Sequence, residues 1–321
     1  MRTESKSKIE MAPDASADMT ISAIIPTYNR ASLVTRAIDS VLAQTRAVDE
    51  VIVVDDGSTD DTCAVVARYG TRVRYVHQKN AGLAASRNTG VREARSEWVA
   101  FLDDDDEWMP EKIEKEVKAL AARPGSVLCY AQALRLSPDG ACEPFIPAPL
   151  HRLERDVLLG NPFTACSVVV RKDFFELAGG FNPALRCAED WEFAARMIAL
   201  RREFVMLDEP VVIVHETPNS MSKDPHSMLA TELAIVETLL AGTSGLRRFA
   251  SRGRCVSRMY YRAALAARTR REPYLHFLLR SFACWPSPVF EPRRFKALGL
   301  YFLAGWRQSA VQAARLKRKT S

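Results

Sequence analysis

Short, wholly apolar runs alternate with longer stretches of helical periodicity through the first third of the chain. Residues 21–25 form one such run, halted by Pro26, and read as a buried strand entering a loop, because proline cannot continue a central ladder. In 32–43 the positions Leu33, Ala37, Ile38, Val41 and Leu42 recur at helical spacing, with Ser32 placed to cap the start. Residues 51–54 are a second strand, closed by Asp55, Asp56, Gly57 and Ser58, and a helix over 60–68 follows. The spacing predicts a third strand at 73–76, a helix over 83–94 and a fourth strand at 98–102, which runs straight into Asp103, Asp104, Asp105 and Asp106.

Beyond Pro110, which suits a first helical turn, Ile113, Val117 and Leu120 share one face of a helix ending near 122. Strands are expected at 127–134, 167–171, 204–207 and 211–214, and a helix at 189–200. The remainder reads as helical, with arginines in bands. Alternating strands and helices predict an α/β protein with a mostly parallel sheet flanked by helices, and a ligand site beyond the carboxyl ends of the strands.

Composition supplies enough core for this plan: 321 residues with 47% hydrophobic content allow one large α/β domain and an appendage. The seven cysteines are scattered without a Cys-x-x-Cys pair, as expected of reduced thiols in the cytoplasm. Residues 1–19 are polar, without a secretory apolar core, and read as a disordered leader. The apolar stretches 274–285 and 297–306 fall short of the roughly 18–20 residues that cross a bilayer. Charge changes the picture more. From Gly245 onward 18 Lys and Arg face only Glu272 and Glu291, a net of +16, whereas the whole chain carries +6, leaving −10 on the first 244 residues. A basic end on an acidic body calls for an anionic partner.

Four consecutive carboxylates repel one another unless a cation or hydrogen-bond donors compensate. In an extended segment Asp103 and Asp105 project to one side, where they can grip a hard divalent ion that neutralises a diphosphate leaving group. A solvated acidic loop, with Asp106 capping the next helix, is the plainer reading of such a run. Asp56 beside Gly57 suits a turn, and its carboxylate can accept from a base or a ribose. The rigid loop Pro26, Thr27, Tyr28, Asn29, Arg30 can present Tyr28 and backbone groups to a base.

In this order, Pro26-Thr-Tyr-Asn-Arg30, Val54-Asp-Asp-Gly-Ser-Thr-Asp60, Asn80-x-Gly82 with Ala85-Ser-Arg-Asn88, and Phe101-Leu-Asp-Asp-Asp-Asp106 closely resemble glycosyltransferase family 2. The resemblance spans about 21–221. It implies the nucleotide-sugar transferase fold called GT-A, Mn2+ or Mg2+, and inversion at the anomeric carbon. It assigns Thr27 and Asp56 to the base, Asp103 to the ribose and Asp105 to the metal. Asp103 and His215 are further metal candidates. Pro26, Tyr28, Asn29, Arg30, Asn80, Gly82, Arg87 and Asp104 would line the nucleotide pocket, with Asn88 lining or bracing it. The family has a small residue between its two key aspartates, where this chain has Asp104. Glu189-Asp190-Trp191 fits the family's late acidic motif and makes Asp190 the general base, with Glu189, Trp191 and Gly180 on the acceptor side. A helix N-terminus favours such acidic pairs in any case.

The implied organisation is a GT-A catalytic domain over 20–222, with a nucleotide half to about 108 and an acceptor half after it, and a basic helical extension over 223–321. The expected reaction moves a sugar, most simply from a uridine diphosphate carrier, to a hydroxyl of a free or lipid-linked glycan acceptor in cell-surface polysaccharide synthesis. Arginine-rich helices carrying Tyr260, Tyr261, Phe277, Trp285 and Trp306 suit peripheral contact with the anionic inner face of a membrane, or else a cap packed on the catalytic domain. An inactive sugar-nucleotide or glycan-binding module would keep the fold without the reaction. A nucleic-acid-binding tail is disfavoured because no recognised module is present.

Overall fold

The computed structural model describes residues 18–216, 225–241, 245–270, 272–286 and 293–299. They fall into two compact units, divided after Thr217.

The first unit is built on nine strands: β1 (Ile21–Thr27), β2 (Glu50–Asp55), β3 (Arg74–His77), β4 (Trp98–Phe101), β5 (Glu107–Trp108), β6 (Ser126–Leu136), β7 (Cys142–Phe145), β8 (Val168–Arg171) and β9 (Glu203–His215). Their order is β3-β2-β1-β4-β8-β6-β9-β5, with β7 beside β6. Strands β1, β2, β3 and β4 pair in parallel, β8 is antiparallel to both β4 and β6, and β9 is again parallel to β6. The sheet is mostly parallel, with β5, β7 and β8 reversed. Helices α1 (Val34–Leu42), α2 (Thr62–Ala67), α3 (Leu83–Glu93), α4 (Lys112–Ala121), α5 (Leu153–Asp156), α6 (Lys172–Leu177) and α7 (Glu189–Ala199) connect them.

Alternate side chains of each strand serve opposite faces. Ile21, Ala23 and Ile25 join Val51, Val53 and the apolar stripes of α1 and α4, including Val34, Ile38, Ile113 and Val117. Elsewhere Phe101, Phe175, Phe181 and Phe193 interlock, with Phe181 centred 5.3 Å from Phe101 and 4.6 Å from Phe193. At about 25 cal/mol per Å2 of apolar area, layers on both faces of the sheet fix the strand ends, from which the site loops spring.

Three local expectations change. Pro26 lies inside β1, opposite Val54. The Ile24 carbonyl accepts from Leu102, so Pro26, two residues on, also faces the β4 side, just past the end of the β1–β4 ladder. Its missing N–H therefore removes no ladder bond. Ser32 does not cap α1; the carbonyl of Arg30 accepts from the N–H groups of Leu33 and Val34 instead. The two strands expected at 204–207 and 211–214 are one, β9, because register irregularities on either side of the Gln132–Pro210 pair absorb Asp208, Glu209 and Val211.

In the second unit α8 (Pro225–Leu239), α9 (Gly245–Thr269) and α10 (Leu275–Cys284) are described. Helix α9 buries Cys255, Val256, Met259, Ala263 and Ala267, at spacings of three and four. Arg294 is also buried, donating to Ser257 Oγ (2.6 Å) and the Ser281 carbonyl (3.0 Å). Tyr261 and Phe277 are buried, while Leu265, Leu279 and Phe295 are exposed. Among the described residues no helix is long and apolar enough to cross a membrane. Trp306 and the basic residues Arg315, Lys317, Arg318 and Lys319, like residues 1–17, lie outside the described part.

Candidate active site

Two loops at the carboxyl ends of β1 and β2 are stitched together. Asn29 takes a left-handed φ of 52°, which asparagine tolerates; its N–H donates to Ser58 Oγ (2.8 Å) and its Oδ1 accepts from the Thr59 N–H (2.7 Å). The Ala31 N–H donates to Asp60 Oδ2 (3.0 Å). Tyr28 is left exposed and Thr27 buried. Gly57 turns with φ +83°, and a Cβ there would stand 3.0 Å from the backbone nitrogen of Asn80. The buried Asp56 carboxylate gathers the 78–82 loop by accepting from Gln78 Nε2 (2.6 Å), the Ala81 N–H (2.9 Å) and the Gly82 N–H (2.8 Å). Asp56 thus fixes the loop that carries Asn80 and Gly82.

The four aspartates have four different surroundings. Asp103 Oδ1 accepts from Arg87 Nη2 (2.6 Å). Asp104 and Asp105 share Nη1 of Arg30, 3.3 Å from Asp104 Oδ1 and hydrogen-bonded to Asp105 Oδ2, while Arg36 donates to the Asp105 carbonyl. Burial pushes the Asp104 carboxyl up to about 7 against the pull of Arg30. Asp106 faces inward, accepting from the His215 N–H (3.0 Å) and the Cys166 thiol (3.4 Å). Burial and then the charges of Asp103 and Asp105 hold its carboxyl well above the usual range. Asp106 caps no helix, and the run is not a solvated loop.

Arg87 on α3 joins this run to the start of α7. It is fully buried and donates to Asp103 and, through Nη1, to Glu189 Oε1 at 2.6 Å, with its guanidinium 5.1 Å from the Phe181 ring centre. Burial disfavours its charge, but Asp103 and Glu189 outweigh that and keep it charged. Its neighbour Asn88 clasps Phe181 through both amide atoms, and at Gly180, with φ +64°, a Cβ would fall 2.8 Å from Asn88 Oδ1. This glycine lets the chain pass close enough for α7 to begin at the site.

Asp190 is half-buried beside Glu189. Its Oδ2 accepts from Asn161 Nδ2 (2.6 Å) and its Oδ1 from the Trp191 N–H (2.8 Å). Burial, then the charge of Glu189, raises this carboxyl to about 7. The Trp191 ring is interior, its Nε1 donating to the Val157 carbonyl (2.6 Å), so the indole anchors the 157–161 segment against α7. Asn161, Cys166 and Arg36 belong to the site, yet no sequence signal singled them out. Each is a lone polar residue outside any motif.

Asp103 and Asp105 suit a divalent metal: both are partly exposed hard oxygen donors, with side chains 30% and 19% accessible, and each has one oxygen engaged by an arginine. Asp103, Asp106 and Cys166 also bring ligand atoms within 4.8 Å of one another. Burial and the neighbouring carboxylates push the Cys166 thiol well up, and Asp106 is raised too, so this inner set is suited to hydrogen bonding. His215 offers the run its backbone N–H, while its Nε2 lies 2.8 Å from Glu107 Oε1.

Comparison with known proteins bears on the family and the fold. The family model for glycosyl transferase family 2 covers residues 22–171. That part of the chain belongs to glycosyl transferase family 2. An uncharacterized glycosyltransferase of Rickettsia felis is 44% identical over 202 residues, which is 60% of this chain and 33% of that protein, so the chain spans one third of the relative's length. The solved structure of S. aureus TarS 1-349 in complex with UDP-GlcNAc superposes with a TM-score of 0.62 at 20% identity, covering 83% of this chain and 81% of that one. The mannosyltransferase PcManGT from Pyrobaculum calidifontis, in complex with GDP-Man and Mn2+, gives 0.58 at 20% identity over 93% and 89%. The family 2 domain thus has the mixed α/β GT-A fold that the motifs implied.

Proposed function

We propose that the protein is an inverting glycosyltransferase that moves a sugar from a nucleoside diphosphate, with UDP the favoured carrier, to a hydroxyl of a glycan acceptor in cell-surface polysaccharide synthesis. The observation that carries this reading is Arg87, which donates to the donor-side Asp103 and, 102 residues further along the chain than itself, to Glu189 beside Asp190. Donor chemistry and a base thereby share one site.

Asp190 takes the proton of the attacking hydroxyl. A carboxyl raised to about 7 has the proton affinity for general base work near neutral pH, and Asn161 with the Trp191 N–H aims it. Thr27 and the loop ordered by Asp56 receive the base, with Pro26, Tyr28, Asn29, Asn80 and Gly82 around it, and Asp103 takes the ribose. Asp105 with Asp103 would hold Mn2+ or Mg2+, which would supply charge neutralisation for a diphosphate leaving group. His215 stays an outer contact of this set through Asp106. The basic second unit, with exposed Leu265, Leu279 and Phe295, suits an acceptor presented at an anionic membrane surface, such as a lipid-linked glycan.

A screen of nucleotide sugars for Mn2+-dependent thermal stabilisation tests the reading. We expect a UDP-sugar to raise the melting temperature of the native protein and not of Asp105→Ala. Equal stabilisation of both proteins would remove Asp105 from the metal site, and stabilisation without transfer to any acceptor would leave a binding module.

A further inference from the structure

The acidic run already holds a cation of its own. Arg30 Nη1 sits between Asp104 Oδ1 and Asp105 Oδ2, in the middle of the run. Its backbone is pinned: the Arg30 carbonyl accepts from Leu33 (2.9 Å) and Val34 (3.1 Å), and Asn29 and Ala31 on either side are tied to Ser58 and Asp60. The side chain is less confined, being 35% accessible where that of Arg87 is 3%. Arg87 is itself buried and cannot leave without stranding the buried Glu189, whereas Arg30 can swing into solvent or onto another anion.

We propose that Arg30 is an internal counter-cation which a divalent metal must displace from Asp105, and which transfers to the donor diphosphate when nucleotide binds. A guanidinium and a divalent ion cannot share Asp105 Oδ2, because like charges at contact distance repel strongly in a partly desolvated site. The guanidinium fork matches two phosphate oxygens as well as it matches carboxylates, so a diphosphate offers Arg30 a second place to rest. Metal and nucleotide then bind cooperatively: each clears the way for the other, and metal alone binds weakly. The inference rests on the donor-site reading above and adds to it how the metal gains entry.

The test is Mn2+ affinity, read from the electron paramagnetic resonance signal of free Mn2+, for the full chain with and without UDP or GDP. Arg30→Met should bind Mn2+ alone about tenfold or more tightly than the native protein, and nucleotide should then improve that affinity much less. Arg30→Lys, which keeps the charge, should stay near the native value. Arg30→Gln serves in place of Arg30→Met if circular dichroism shows the latter misfolded. Unchanged or weaker Mn2+ binding in the uncharged variants would overturn the inference. So would an equal gain in Arg36→Met, since that would assign the effect to net charge alone. Mn2+ uptake by the native protein with nucleotide, together with indifference to Arg30, sinks this inference and leaves the donor site standing. No Mn2+ uptake under any condition sinks both.

Discussion

The acidic run and the Glu189–Asp190 pair meet the same difficulty, carboxylates at close range, with different compensation. In the run, guanidinium groups from two distant helices or loops engage Asp103, Asp104 and Asp105. At α7 the guanidinium of Arg87 engages Glu189, while the donors to Asp190 among the described residues are neutral, Asn161 and the Trp191 backbone. A guanidinium favours the charged carboxylate, as a donor-binding or metal-binding aspartate requires, although burial outweighs it at Asp104. Neutral donors aim Asp190 while burial leaves it a competent proton acceptor. Arg87 belongs to both clusters and keeps this difference in place.

The comparison breaks most visibly at Asp190. Asp190→Asn should lower transfer about 10²- to 10⁴-fold while Mn2+-dependent nucleotide binding stays native, measured by turnover beside calorimetry. Activity within a few-fold of native would place the base elsewhere. Next in size, Arg87→Met strands Asp103 and Glu189 and should cost about 3–5 kcal/mol of stability in urea denaturation. A loss below about 1 kcal/mol would mean that the two clusters stand independently of this arginine.

Asn161→Ala sharpens the comparison at its smallest scale. Removing the amide that aims the base should lower turnover about tenfold or more through lost orientation. The sign of the accompanying pH effect is set by what the amide favours. It stabilises the ionised form, so its loss raises the Asp190 carboxyl further above about 7, and the acid limb of the rate profile moves to higher pH. An acid limb that stays in place would reduce Asn161 to a structural contact.

The strands and helices of the nucleotide half were legible because each is a buried apolar run or an amphipathic stripe bounded by Pro, Gly or Asp. The two residues of β5, and β7 with its exposed Cys142, Glu143 and Pro144, carry no such pattern. The break expected in β9 shows the limit of reading polarity along the chain, since Asp208, Glu209 and Pro210 interrupt the apolar pattern without ending the strand. Pro26 shows the same limit in reverse, for its effect depends on which neighbour its nitrogen faces.

By itself the sequence determined the order of elements, the motif loops at the strand ends and the residue types that donor chemistry needs, because these follow from local periodicity and short-range turn geometry. It also determined the concentration of positive charge after Gly245. Only the tertiary structure decided how the four aspartates differ, since their partners Arg87, Arg30, Cys166 and His215 come from separate segments. It likewise brought Asn161 to Asp190, a residue with no motif of its own. Carboxylate properties depend on burial and on charges a few ångströms away, and those are set by chain crossings that local periodicity does not encode.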